Sequence, residues 1–428
     1  MEITLSINAG SSSVKISVYK TEPSSSTPLQ LAEATIEGLT APPAKLKYAR
    51  GDETIKGKEL QDIASQEDAF KYILTHLQHD SGLPELSKPD DIHFTCHRVV
   101  HGGDYPAAQT IDKGTYHHIE ELSDLAPLHN APALSIVRAA SEILPNARNV
   151  AYFDSSFHAT IPRHICTYPI DQEVAEKNKL RKYGFHGISY QFITDAVASH
   201  LNKDPKTLNI IALHLGSGAS ACCIKNGRSH DTSMGLTPLA GLPGATRSGS
   251  IDPSLIFHFT HSAGSLSHAA AGHMHITQAE EILNKNSGWK ALTGTTDFGE
   301  ISSSDEDSKK LAFDIFVDRI TNYVAPYFAK LGGEVDALVF AGGIGERGSR
   351  LRKEVVRGVE CLGFKLDAKK NEKPDDGVVV DVSAEDARFR TLICQTDEQL
   401  QMARGVLRFG LVWFGLVYSY ATRVPFGP

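Results

Sequence analysis

The chain of 428 residues lacks most of the features that would take it out of the ordinary globular class. It has no run of 18 or more predominantly apolar residues, which speaks against a membrane-spanning helix. The nearest approach is FGLVWFGLVYSY, from Phe409 to Tyr420, between Arg408 and Arg423. It is too short to span and reads as a buried helix or strand, with a membrane-touching or partner-binding tail as the alternative. No excess of basic charge exists: 43 Lys and Arg against 51 Asp and Glu leave a net −8. There is thus no overall field for gathering nucleic acid or anionic lipid. Glycine (35) and proline (20) are at ordinary levels, which excludes collagen-like and low-complexity scaffolds. Apolar residues at 41% with charged residues at 22% exclude global disorder. None of the six cysteines stands in a CxxC pair, and Glu2 leads into a strand pattern, not a signal peptide. The expectation is a reduced, cytoplasmic protein.

Several catalytic signatures are missing as well. There is no Walker A motif, no GxGxxG opening a helix, no GxSxG elbow and no HExxH. His97 and His101 are four residues apart, but the run before them reads as strand and Gly102-Gly103 follows. That arrangement defeats a helical two-histidine zinc site.

What is present is an alternation of strand and helix patterns, hence an α/β protein. Ile3 to Tyr19 (ITLSINAGSSSVKISVY) is two alternating runs about a glycine-serine turn, a hairpin signal. Asn209 to Lys225 (NIIALHLGSGASACCIK) repeats the pattern half a chain later, with His214 where the first has Asn8. Such a repeat suggests two similar domains facing each other across a cleft. Strands are also expected over Ile92–Val100, Val150–Phe153 and Val335–Phe340. Helices are expected over Gln66–Gln78, Ala133–Leu144, Gln191–Leu201, Phe313–Lys330 and Leu351–Glu360. Lys45–Lys58 reads as strand or loop.

Three glycine turns each follow a strand, the third being Ala341 to Glu346 (AGGIGE). Together they suit a phosphate-handling cleft. Arg98 ends a strand among histidines, and Arg247 sits inside a glycine loop, GATRSG. Arginine is the side chain for bidentate recognition of phosphate or carboxylate. Asp154 at a strand end can hold Mg²⁺, orient a nucleophile or cap the next helix. His186 lies between glycines in YGFHG, and Asp397-Glu398 stand near the C-terminus.

In order along the chain, INAGSSSVK, HRVVHGG, APLHNAPAL, FDSSFHATIP, RKYGFHGISY, HLGSGAS, MGLTPLAGLPGATRSGSIDP, FAGGIGERG and TDEQL resemble the motifs of the acetate kinase family over residues 3 to about 405. The resemblance implies two duplicated ribonuclease-H-like domains facing a central cleft, as in sugar kinases, actin and heat-shock ATPases. It implies a division into 1–160 plus about 395–428 on the acyl side and 161–394 on the nucleotide side. It implies Mg²⁺-dependent, reversible in-line transfer of the ATP γ-phosphoryl group to acetate, giving acetyl phosphate and ADP. A homodimer is implied too, with no nucleic-acid or membrane partner.

Residue by residue, the resemblance makes Arg98, Asp154, His186 and Arg247 catalytic. Val100, Leu128, Phe185 and Pro238 would form the pocket for the acetate methyl group. Ser12, Lys15, His129 and His214 would contact or support phosphates. Gly216, Ser217, Gly218, Asp297, Gly343, Ile344 and Gly345 would line the nucleotide. Asn8 and Glu398 would serve the Mg²⁺-phosphate end. The chain departs from the family pattern at Ser217, Gly299, Arg347, Asp397 and Gln399, all toward the nucleotide side. Pyrophosphate therefore stands beside ATP as donor, propionate or butyrate beside acetate as acceptor, and a silent nucleotide-binding module or an acetyl-phosphate hydrolase beside a kinase.

Overall fold

The alternating runs about Gly10 fold back on each other, and the computed structural model shows what they join. It describes residues 2–407 except 23, 24, 26, 123–126, 260–263 and 272–273. The apolar tail 409–420 lies outside the described residues. Strands β1 (Glu2–Ala9), β2 (Ser13–Thr21), β3 (Leu29–Glu37), β4 (Ala44–Arg50), β5 (Glu53–Leu60), β6 (Ile92–Val99), β7 (Gln109–Thr110) and β8 (Arg148–Phe153) form one sheet in the order β5-β4-β3-β2-β1-β6-β8-β7. The second sheet holds β9 (Ile210–Leu215), β10 (Ala219–Lys225) and β11 (Arg228–Thr232). A two-stranded ribbon of β12 (Leu266–Ala271) and β13 (Met274–Thr277) stands apart. β14 (Ala337–Ala341), β15 (Val379–Asp381) and β16 (Arg390–Cys394) complete the second sheet in the order β11-β10-β9-β14-β16-β15.

The duplication expected from the two hairpins is thus a duplication of whole sheets. In β3-β2-β1-β6-β8 and in β11-β10-β9-β14-β16, an antiparallel meander of three strands is followed by two strands parallel to the first. Parallel strands need crossovers, and these supply the helices. Helices Gln66–Gln78 and Pro127–Ile143 cover the first sheet, through Phe70, Ile73 and Leu77 on one and Ile136, Ala139 and Ala140 on the other. β14 is buried at all five residues. Its Leu338 and Phe340 meet Phe313, Phe316 and Ile320 of helix Asp307–Lys330, while Ala337, Val339 and Ala341 meet Tyr190, Ile193 and Val197 of helix Gly187–His200. A parallel strand covered on both faces reads as a continuous apolar run, as VDALVF does.

Residues 398–407 are helical, and Met402 and Val406 pack with Phe94, Cys96 and Val150 of the first sheet and with Ile188. This brings Glu398 back to the strand that carries Asn8. Helices Asp307–Lys330 and Ser349–Gly358 start ahead of the expected Phe313 and Leu351, and two more begin earlier than their apolar spacing predicts. Pro132 reads as a breaker, yet the helix runs back through it to Pro127. The other starts at Gly187, directly after His186, instead of at Gln191. Among the described residues no helix is long and apolar enough to cross a membrane.

Candidate active site

Adjacent parallel strands present their carboxyl ends side by side, the place where open α/β sheets bind ligands. In the first sheet β1 ends near Asn8, β6 ends near Arg98, and Asp154 directly follows β8. β6 and β8 are in register with Arg98 opposite Tyr152, two residues before Asp154. The Arg98 guanidinium donates from Nη2 to Asp154 Oδ2 at 2.7 Å and from Nε to Oδ1 at 3.1 Å. Its Nη1 donates to Asn8 Oδ1 at 3.2 Å, and its Nε lies 3.5 Å from Glu398 Oε2. Asn8 Nδ2 donates to the same Glu398 oxygen at 3.1 Å, and Ser189 Oγ donates to the other at 2.6 Å. Asp154 is therefore an arginine partner and not the helix cap that its position allowed.

Strands β9 and β10, with a helix start and a loop, contribute the remaining groups. His186 has φ +61°, ahead of the helix that starts at Gly187, whose N–H donates to the Asp154 carbonyl at 2.8 Å. A Cβ on Gly187 would lie 2.2 Å from that carbonyl oxygen, so only glycine lets helix and strand end approach this closely. His186 Nδ1 lies 2.8 Å from Ser220 Oγ, and Ser220 Oγ lies 2.5 Å from the Tyr190 hydroxyl. The His186 ring stacks obliquely on His214 with centroids 4.4 Å apart. Arg247 comes from a loop pinned by backbone bonds, Ala245 N–H to Ser217 carbonyl at 2.8 Å and Ser287 N–H to Thr246 carbonyl at 3.0 Å. A Cβ on Gly218 would stand 3.1 Å from Arg247 Nη1 and 3.7 Å from His186 Nε2, so both groups converge on that glycine.

The electrostatics follow from this crowding of cations. Burial first, then His214, Arg98 and Arg247, hold His186 well below the ordinary 6.5 and keep it neutral. His214 falls to about 4, mainly through burial, and its buried Nδ1 has no hydrogen-bond partner among the described residues. Arg247 is lowered to about 10, by burial and then by the repulsion of Arg98. Two carboxylates share Arg98 and separate. Burial raises Asp154 against the pull of Arg98, whereas for Glu398 the opposing pull of Arg98, His214 and the Ser189 hydroxyl outweighs burial and lowers it. Arg247 and the neutral histidines offer donors to an anion in a partly desolvated cleft, where such interactions are strongest.

An apolar pocket adjoins it. Phe185, Tyr183 and Met234 are buried together with half-buried Val100 and Leu236. His101 donates from Nε2 to the Leu236 carbonyl at 3.2 Å, and its ring packs on Tyr183 and Phe185. Val100 and Phe185 are thus together, and Pro238 is buried two residues beyond Leu236. Leu128 and His129 fall in the first turn of the helix from Pro127, and their side chains lie outside the described residues.

The turn of Gly216, Ser217 and Gly218 links β9 to β10, with Gly216 N–H on the Gly218 carbonyl at 3.1 Å. Gly343, Ile344 and Gly345 belong to helix Gly342–Arg347 at the end of β14. A Cβ on Gly343 would meet nothing within 4 Å, so the protein's own packing does not require that glycine. Buried Arg352 holds this turn by donating Nη1 to the Gly345 and Glu346 carbonyls at 2.8 Å each and Nε to Asn371 at 2.8 Å. Of three further predicted residues, Lys15 lies opposite Asn8 across the β1–β2 hairpin, and its charge helps to lower Glu398. Ser12 is exposed in the β1–β2 turn; Lys15 is ion-paired with Glu33 at 2.9 Å; Asp297 caps helix Phe298–Ser303 through the Gly299 N–H at 2.8 Å. The sequence reading missed Ser189, Tyr190 and Ser220. Ser189 lies three residues after His186, a spacing that shares a helix face once the helix is known to start at Gly187.

Among the described residues no group of three or more His, Cys, Asp or Glu side chains is placed to hold a metal ion. Mg²⁺ does not need one, because it takes one or two carboxylates with phosphate oxygens and water.

Residues 3–404 match the model of the acetokinase family. The probable acetate kinase of Chaetomium globosum is 54% identical over 94% of this chain and 97% of its own. Among solved structures, a propionate kinase from Francisella tularensis subsp. tularensis superposes with TM-score 0.82 at 32% identity, covering 94% of this chain and 98% of that one. The acetate kinase of Porphyromonas gingivalis superposes with TM-score 0.80, at the same identity and coverage.

Proposed function

The chain belongs to the acetokinase family, and we infer from that membership and from the cleft that it catalyses reversible transfer of the ATP γ-phosphoryl group to acetate. The observation that carries the reading is the meeting of Arg98 at a strand end, Arg247 in a loop and neutral His186 at a helix start, beside one small apolar pocket. Acetate is already ionised at neutral pH, so no general base is needed. The problem is to bring two anions together in line. Arg98 and Arg247 offset that repulsion, and the pocket of Val100, Phe185 and Met234 receives the methyl group.

His186 contributes through its tautomer. If Tyr190 O–H donates to Ser220 Oγ, the Ser220 proton points to His186 Nδ1 and Nε2 carries the hydrogen. That N–H would donate to an equatorial phosphoryl oxygen without adding charge. Asp154 orients Arg98 and stays out of the transfer. Glu398 and Asn8 suit Mg²⁺, since Glu398 is held ionised and faces the cations of the cleft. The ion would supply charge neutralisation of the phosphates. The open space over Gly343 supports a nucleoside seated on the β14 turn, and so favours ATP over pyrophosphate.

The two sheets support a division into residues 1–160 plus the return segment 395–407 on the acyl side and 161–394 on the nucleotide side. A homodimer belongs to the same reading, supported by exposed Leu255, Phe257 and Leu266 in one stretch of chain. The six unpaired cysteines support a cytoplasmic location.

The test is acetohydroxamate formation from acetate, Mg²⁺ and hydroxylamine with ATP, pyrophosphate or neither as donor. Turnover with ATP is expected. Turnover with pyrophosphate alone would change the donor, and binding of ATP without turnover by the folded protein would overturn the assignment.

A further inference from the structure

The edge of the second sheet away from the catalytic cluster carries a cluster of cations that the reaction does not use. The β10–β11 hairpin turns through Asn226 and Gly227, both at positive φ. A Cβ on Gly227 would lie 2.1 Å from the Pro205 carbonyl oxygen, so the turn is seated against the segment that carries Lys206. Lys225 and Arg228 face each other in register across the hairpin. Like charges directly opposite on paired strands destabilise them. Lys206, Lys225, Arg228 and His230 line a cavity of about 320 Å³ with Thr160 and Ser229, and no carboxylate is among its lining residues. None of the three long cations is in an ion pair among the described residues.

His230 also lines a neighbouring cavity of about 380 Å³, where Lys182 and Lys330 both pair with Asp231. One carboxylate thus answers two lysines there, and the positive surplus extends across both spaces. Burial, Lys225 and Lys330 all disfavour further charge on His230. Three uncompensated cations around one concave space are matched by a compact anion of two or more charges. A volume of about 320 Å³ is within the usual range for small-molecule sites.

We propose that Lys206, Lys225, Arg228 and His230 form a second anion site for a compact di- or polyphosphate, separate from the catalytic cleft. Ser229 in its wall bonds His158 at 2.7 Å, and His158 bonds the Phe185 carbonyl at 2.9 Å, so the site is two hydrogen bonds from the acyl pocket.

The test is equilibrium dialysis of radiolabelled inorganic pyrophosphate against the full chain, with the cleft filled by saturating ADP and no Mg²⁺ present. Wild type is compared with the double variant Lys225→Gln/Arg228→Gln and with Arg98→Ala. The proposal expects one site per chain whose affinity falls at least tenfold in the double variant and survives Arg98→Ala. The double variant should keep its acetohydroxamate turnover, which also shows that it is folded. Binding lost in Arg98→Ala and unchanged in the double variant would place pyrophosphate in the cleft alone and overturn the proposal. So would no binding to wild type.

Discussion

Replacing Arg98 by alanine should reduce stability and turnover together, and a second substitution should separate the two losses. The Asp154 side chain is 1% exposed and takes its charged contacts from Arg98. Breaking one partner out of a buried pair costs about 3–5 kcal/mol, because the other charge is left uncompensated. Arg98→Ala belongs in that range, since it leaves Asp154 and Glu398 both without the cation they share. Adding Asp154→Ala removes one stranded carboxylate. The double variant should then be more stable than Arg98→Ala alone by at least about 1 kcal/mol, yet short of wild type. Turnover should not follow. An arginine on a transferring phosphoryl group is worth roughly 10³–10⁵ in rate, so both variants should fall by at least about 10². Urea unfolding followed by circular dichroism reads the first quantity, and acetohydroxamate formation the second. Losses that simply add in the double variant would refute the shared-charge argument. Normal turnover in folded Arg98→Ala would refute the role of Arg98.

Three further substitutions probe the groups behind the arginines. Ser189→Ala removes the donor that helps hold Glu398 below its ordinary 4.5. A carboxylate with a lowered folded value contributes stability that is present above its unfolded value and lost as pH falls through the folded one. The acid limb of kcat/KM and of urea stability should therefore move to higher pH in Ser189→Ala, and an unmoved limb would dissociate Glu398 from both. Ser220→Ala should lower kcat about tenfold with little change in KM, by freeing the His186 tautomer, a loss of ~1.4 kcal/mol that is ordinary for one hydrogen bond. A change confined to KM would contradict the donor role of Nε2. Gly218→Ala places a methyl 3.1 Å from Arg247 Nη1 and should cut turnover while leaving the urea midpoint within the range of ordinary surface changes. Equal activity would show that Arg247 does not need its observed position.

Local patterning made the elements legible, and topology hid the site. The hairpins about Gly10 and Gly216–Gly218 could be read because alternation and glycine turns are local signals, and helix Gln66–Gln78 because its apolar spacing is regular. That Arg98 would meet Asp154 depends on β6 and β8 being parallel neighbours, which no local pattern states. That Asn8 would meet Glu398, 390 residues away, depends on the return of residues 398–407 to the first sheet. Motif resemblance supplied those residues without supplying the geometry. It also assigned Lys15 and Asp297 to phosphate and nucleotide contacts; here Lys15 pairs with Glu33 and lies opposite Asn8, while Asp297 caps a helix. Ser189, Tyr190 and Ser220 escaped notice because small polar residues near glycine turns have bland uses almost everywhere. Their role appears only once His186 and Glu398 are fixed in space.

We infer a single direct transfer between two anions held by Arg98, Arg247 and His186. It is tested most directly with ATP made chiral at the γ-phosphorus by oxygen isotopes, followed to acetyl phosphate. One in-line displacement inverts phosphorus, and inversion is the predicted result. Net retention would require an even number of displacements, such as transfer through a phosphorylated side chain of the protein, and would contradict the account.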